Sequence, residues 1–359
     1  IPDLEPLNKV HPISQGEKLK RHLNAITALT VVLATSVALV SCSSQDAGEQ
    51  ERPEAQTQAT QTGQWPRTVE TDDGNLEIEA QPQRIVSTST TLTGSLLALD
   101  APVVASGATK PNIEGLSDDQ GFFNQYSEQA KAKGVEKLWS NSSPNPEDVL
   151  PYEPDLIIVS KNGGDSAYDQ VDQLRKIAPV MVVDYTKASW QDVTTMLAKA
   201  TGKEDKAKQI LADFDQKVDK VAKSIKVPDH AVSPLTVFGD GSGAAALTHK
   251  AAQSQLLERL GFTLTDIPEQ VKGDTSMGKS RGDIVQLSLE NVQKGLPGES
   301  WIVVAGDKKT QATMEKEQAF NTSPAYKNKQ VYFLPGETFR LDYFSAQLML
   351  DSLAKQFAE

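Results

Sequence analysis

Cysteine is nearly absent from this 359-residue chain: Cys42 stands alone. A lone cysteine closes no internal disulfide and supplies no thiolate metal site. Histidine is scarce too, and of the four only His230 and His249 follow Cys42. Two histidines far from any acidic cluster do not make a zinc or manganese site. They also leave Ser166, in the hydrolase-like string Gly164-Asp165-Ser166, without a positioned base, which argues against a serine hydrolase. Positive charge is in deficit, with 36 Lys and Arg against 48 Asp and Glu and a net charge of −12. That balance is poor for nucleic acid and suits a soluble protein outside the cytoplasm. No phosphate-binding loop is present either, because Gly239-Asp240-Gly241-Ser242-Gly243 lacks the Lys-Ser/Thr that must follow.

One long apolar run is present, from Leu23 to Val40, and it is free of charge. Lys18, Lys20, Arg21 and His22 precede it, and it closes on Leu39-Val40-Ser41-Cys42. A basic flank, an apolar stretch and small residues before a cut make a secretory signal. The ending looks like a lipobox, so residues 1–41 are expected to be removed and Cys42 to carry a lipid. The rival reading is a retained membrane span, since the run is close to the ~20 residues that a spanning helix needs. Ile1 to Glu17 are foreign to such a signal, whose own start is therefore expected downstream of Ile1. Residues 42–64 are rich in Gln, Thr, Glu and Ala, cannot bury enough apolar surface to order themselves, and read as a flexible tether.

Beyond the tether, short apolar runs alternate with helical patterns. Arg84–Ser87, Val103–Ala105, Leu156–Val159 and Val180–Val183 read as strands, with helices at Leu92–Leu99 and Trp190–Ala200. From Lys203 to Ile225, Ala207, Ile210, Leu211, Phe214, Val218, Val221, Ala222 and Ile225 form one continuous helical stripe. The alternation then restarts with Leu235–Phe238, a helix at Ser254–Leu260, strands at Ile302–Val304 and Val331–Phe333, and a closing helix at Tyr343–Phe357. The expected fold is α/β: two lobes, 65–202 and 228–359, each with a central parallel or mixed sheet, joined by one long rigid helix over 203–227. The alternative is a single large domain with that helix on its surface.

Two lobes, one spanning helix and a lipobox resemble the siderophore-type (cluster A) substrate-binding proteins of ABC importers. The likeness extends to segments such as Gln81-Pro82-Gln83-Arg84-Ile85-Val86-Ser87, Gly163-Gly164-Asp165-Ser166-Ala167 and Glu337-Thr338-Phe339-Arg340-Leu341-Asp342-Tyr343. The resemblance implies a monomeric binding protein with no cofactor and no enzymatic activity. It would hand a ferric siderophore, a catecholate of the enterobactin type, to a permease driven by a separate ATPase chain. The iron would be held by the siderophore and not by the protein. Haem, cobalamin and hydroxamate siderophores are alternative cargoes on the same fold. Leu247 stands where near relatives place a tryptophan, which weakens the case for enterobactin itself.

The family docks through one acidic residue per lobe, and the matching positions are Glu147 and Glu290. Charge pairing with permease arginines would register the complex. A catecholate complex is anionic with aromatic faces, so its cleft needs Arg or Lys beside aromatic and hydrogen-bonding groups. Arg340, flanked by Phe339 and Tyr343, meets that description; the alternative is an ion pair with Asp342 or Glu337. Lys279 and Arg281 lie in a polar loop that either closes over an anion or is merely solvated. Lys110 follows a strand's carboxyl end, where open α/β sheets place ligands. Tyr126, Asn162 and Thr248 complete the candidates.

Overall fold

The structure is a computed structural model and describes residues 63–272 and 282–358, which belong to one compact unit, 59–359. The expected signal, Cys42, most of the tether and the loop with Lys279 and Arg281 lie outside the described residues. A hairpin comes first, β1 (Arg67–Thr71) against β2 (Gly74–Ile78). Arg67 ties it down, donating to Lys199 O at 2.7 Å and pairing with Glu204 at 2.5 Å, while its guanidinium lies 4.0 Å from the Trp65 ring.

Five strands then build the first sheet: β3 (Ile85–Ser87), β4 (Val103–Ala108), β5 (Glu136–Ser140), β6 (Leu156–Ser160) and β7 (Val180–Val183). They are all parallel, in the order β5-β4-β3-β6-β7. The chain starts in the middle and winds outward both ways, so the topological switch lies between β3 and β6. Strands covered on both faces must be apolar throughout, and every residue of β3, β6 and β7 is buried except for the small polar Ser87 and Ser160, which are buried too.

The second sheet has the order β10-β9-β8-β11-β12, from β8 (Val232–Val237), β9 (Gly243–Leu247), β10 (Ile284–Ser288), β11 (Ser300–Val303) and β12 (Val331–Phe333). β8, β11 and β12 run parallel, and β9 runs antiparallel to both β8 and β10. This sheet is mixed, and its two antiparallel strands lay outside the sequence expectation. Their pattern is weak: β9 is Gly-Ala-Ala-Ala-Leu, a strand made by its neighbours and not by its own propensity.

The long helix spans Glu204–Ala222, roughly 28 Å at the standard rise. It is shorter than the apolar stripe suggests, because Lys223 caps it and Ile225 instead bridges to Ala358. Gly202, in the left-handed conformation, ends the preceding helix Trp190–Thr201 and lets the chain turn into it. Its stripe serves two cores: Ala207 and Ile210 pack with the first lobe, and Phe214, Val218 and Val221 with the second. Trp190 also crosses over, meeting Phe214 edge to face at 4.9 Å. The closing helix Tyr343–Gln356 begins against the first lobe and continues into the second core. Its cap, Asp342, is buried against Gly94 of the first-lobe helix Thr90–Ala98, where any Cβ would collide with the carboxylate. Among the described residues, no helix is long and apolar enough to cross a membrane.

Candidate functional site

The carboxyl ends of the parallel strands carry the loops that line a cleft with two connected chambers. The first, about 520 Å³, takes Thr91 and Ser95 from the helix Thr90–Ala98, Tyr185 and Lys187 from the turn after β7, and Lys250 and Arg340 from the second lobe. The second, about 640 Å³, opens over the second sheet. Gln253, Asp283, Phe339 and Arg340 border both.

Arg340 is central. Its guanidinium carbon lies 5.3 Å from the Tyr185 ring centroid and 5.5 Å from that of Phe339. None of the ion pairs among the described residues uses it. The expected competitor Asp342 is turned inward instead: Ser345 N donates to Asp342 Oδ1 at 2.9 Å and Gln125 Nε2 to Oδ2 at 3.4 Å. A guanidinium over aromatic faces and without a carboxylate keeps its charge for an incoming anion.

Tyr185 is braced from the first lobe's switch point. Its hydroxyl donates to Asp165 Oδ1 at 2.6 Å, and Asp165 Oδ2 accepts Ser89 Oγ at 2.6 Å and Thr91 N at 2.8 Å. Asp165 is buried, so its charge is met by donors from the loop after β3 and from the helix that follows. Burial, with the charge and hydrogen bond of Asp165, pushes the Tyr185 phenol well above its ordinary value against the opposing pull of Arg340, so it remains a donor. Gly163 makes room for it, since a Cβ there would collide with the Tyr185 hydroxyl. On the other side, Gln253 Nε2 donates to Thr338 O at 2.9 Å and Phe339 O at 3.1 Å, which fixes the strip that presents Phe339 and Arg340. The described lining carries three cations, Lys187, Lys250 and Arg340, of which Lys187 leans on Asp184 at 3.0 Å. Chemically, such a wall suits a multiply anionic ligand with π faces.

Of the residues singled out from sequence, Arg340 and Phe339 line the cleft. Lys279 and Arg281 fall outside the described residues. The others are placed elsewhere. Tyr126 is fully buried, and its hydroxyl donates to Thr90 O at 2.7 Å, so it is a core residue. Tyr343 packs between both cores, 6.4 Å from Trp190 and 5.5 Å from Phe344. Asn162 is held by Asp184, donating to Oδ2 at 2.7 Å. Lys110 is exposed on the loop after β4 and borders neither chamber. Thr248 braces the edge of the cleft, its hydroxyl donating to Gly282 O at 2.7 Å. Sequence reading missed Tyr185, Lys187 and Lys250. The rule that picked Lys110, a cation beyond a strand's carboxyl end, applies equally to Lys187 after β7.

Glu147 and Glu290 are exposed, one on each lobe, on the 3₁₀ turns Pro146–Tyr152 and Leu289–Asn291. Asn145 caps the first turn, accepting Glu147 N at 3.3 Å, so the Glu147 carboxylate is not needed as the cap. Ser166 Oγ donates to Ser160 O at 2.7 Å, and the two described histidines are engaged elsewhere, His230 with Ser300 and His249 with Glu258. A serine–base pair is therefore missing among the described residues, as is any cluster able to hold a metal ion.

Comparison with known proteins agrees with this architecture. The family model described as periplasmic binding protein matches residues 85–338. The ferric enterobactin-binding periplasmic protein FepB of Escherichia coli O6:H1 is 45% identical over 299 residues, covering 83% of this chain and 93% of FepB. The probable siderophore-binding lipoprotein YfiY of Bacillus subtilis is 29% identical over 248 residues, 68% of each chain. Among solved structures, holo-ViuP superposes with a TM-score of 0.73 at 34% identity, covering 82% of this chain and 96% of ViuP.

Proposed function

The chain belongs to the periplasmic binding protein family, and from that premise we propose that it captures a ferric siderophore outside the cytoplasm and presents it to an ABC permease. The observation that carries this reading is Arg340, held over Tyr185 and Phe339 without a carboxylate partner, with Lys187 and Lys250 across the same chamber. A ferric tris-catecholate has the matching chemistry, net negative charge and aromatic faces. The similarity to FepB supports the same cargo class. The protein supplies no iron ligand in this reading; the siderophore holds the metal, which is cargo.

The test is quenching of tryptophan fluorescence by a ligand panel, since Trp190 borders the first chamber. Ferric catecholates are expected to quench. Quenching by hydroxamate complexes, haem or cobalamin but not by catecholates overturns the choice of cargo.

Delivery runs through Glu147 and Glu290, one exposed carboxylate per lobe, pairing with cations on the permease. Glu147→Gln with Glu290→Gln should leave ligand quenching intact and lower iron uptake by cells. Undiminished uptake removes them from the docking face. Residues 1–41 act as the export signal, and a lipid on Cys42 with 42–64 as tether keeps the monomeric receptor within reach of the permease and its separate ATPase. Loss of metabolic palmitate labelling in Cys42→Ser is the expected outcome, and labelling that persists removes the anchor.

A further inference from the structure

The two chambers meet at Phe339 and Arg340, and their walls differ in kind. Cations from both lobes face the first. The second is walled by Val237, Phe238, Leu247, Ile284, Val304 and Phe339. Its carboxylates are Asp240 at the rim and Asp283 at the junction, and among its described lining residues the one cation is Arg340, shared with the first chamber. Asp240 is kept ionised by Ser242, whose amide and hydroxyl donate to Oδ1 at 3.0 and 2.7 Å. An anion moving into this chamber would exchange water for apolar walls while facing like charge, and both effects oppose it. The polar groups that border both chambers are already engaged: the Gln253 amide is spent on the Thr338 and Phe339 carbonyls. Phe339 is 46% exposed at the mouth, an aromatic surface awaiting cover.

We propose that the second chamber is a separate subsite for an uncharged, largely apolar arm of the ligand, aryl or alkyl, while the anionic iron centre rests against Lys187, Lys250 and Arg340 in the first. This rests on the siderophore-capture reading above and sharpens it. The receptor then distinguishes siderophores with identical iron chemistry by what their scaffolds carry. Volume supports the division, because each chamber alone lies within the ~300–1,000 Å³ range of ligand pockets.

The experiment titrates the intact protein with two probes: a synthetic ferric tris-catecholate, and the same chelate with a benzyl arm on its scaffold. The armed probe is expected to bind at least about tenfold more tightly, the return on burying roughly 60 Å² of apolar surface. Gln286→Trp and, independently, Ser242→Trp put bulk into the second chamber from two different segments. Each should abolish the preference for the arm and leave the unarmed probe's affinity unchanged; with two variants, misfolding of one still leaves a test. Equal binding of both probes to the unaltered protein overturns the subsite alone, as does a preference that survives both variants. Tighter binding of a cationic arm of the same length overturns its apolar character. Binding of neither probe overturns the capture reading itself.

Discussion

The two sheets face the same cleft and contribute to it in opposite ways. The first is parallel and closed: Ile157, Ile158 and Val159 in β6 are fully buried between helical layers, and no strand residue of this sheet borders either chamber. It reaches the ligand only through turns, Tyr185 and Lys187 after β7 and Thr91 after β3. The second sheet is mixed and open. Ala245 and Leu247 of β9 and Ile284 and Gln286 of β10 line the second chamber directly, so the cavity is cut from the side-chain layer of the sheet itself. Small side chains in β9 leave the space that bulkier ones would fill. One lobe therefore supplies a fixed floor and the other supplies volume.

The largest effect that tests this contrast is in the cores. Ile157→Ala should cost about 2–5 kcal/mol of stability, the usual range for truncation in a well-packed interior. Leu247→Ala, at the wall of an existing cavity, should cost less than half as much, because some of its neighbours are already missing. Denaturant midpoints measure both, and equal losses would break the contrast. Next comes Tyr185→Phe. It removes a donor from buried Asp165 and should cost about 1–3 kcal/mol of stability along with affinity. Arg340→Ala should separate the two readouts: affinity for a ferric catecholate falls at least tenfold, about 1.4 kcal/mol, with the unfolding midpoint unchanged. A midpoint that falls with Arg340 would make it a structural residue.

The same contrast explains what the sequence made legible. Leu156–Ile157–Ile158–Val159 and Val180–Val183 are apolar because both faces are covered, and such runs declare themselves. The stripe of the long helix does so as well, from Ala207 to Val221. The strand Gly243–Leu247 does not, because alanine carries no strand preference and only its neighbours β8 and β10 make it extended. Within the site, residue type led to Arg340 and also to Tyr126 and Tyr343, which lie inside. The aromatic that does meet Arg340, Tyr185, comes from the opposite lobe, 155 positions earlier in the chain. A contact between lobes leaves no local pattern. Asp342 misleads for a related reason: beside Arg340 it looks like an ion-pair partner, yet the start of the closing helix claims it as a cap.

Two buried carboxylates near the cleft give the smallest and sharpest comparison, since they titrate with opposite signs. Burial works against ionised Asp184, but hydrogen bonds from Thr186, Lys187 and Asn162 outweigh it and hold the group below its ordinary value of 3.8. Its contribution is therefore present above pH 3.8 and is lost as the pH falls through the lowered value. Asp342 is raised above 3.8 by burial, which the Ser345 and Gln125 donors only partly offset. Its contribution is full below pH 3.8 and is lost as the pH rises through the raised value. Stability measured from pH 3 to pH 7 should accordingly diverge in the two neutral variants. Asp184→Asn should lose more relative to the parent at pH 7 than at pH 3, and Asp342→Asn should lose more at pH 3 than at pH 7. Whatever each substitution does to packing is common to both pH values and cancels in the difference. Slopes of the same sign would mean that the second lobe's inward cap is solvated like the first lobe's turn, and that the closing helix does not seat a buried charge against Gly94.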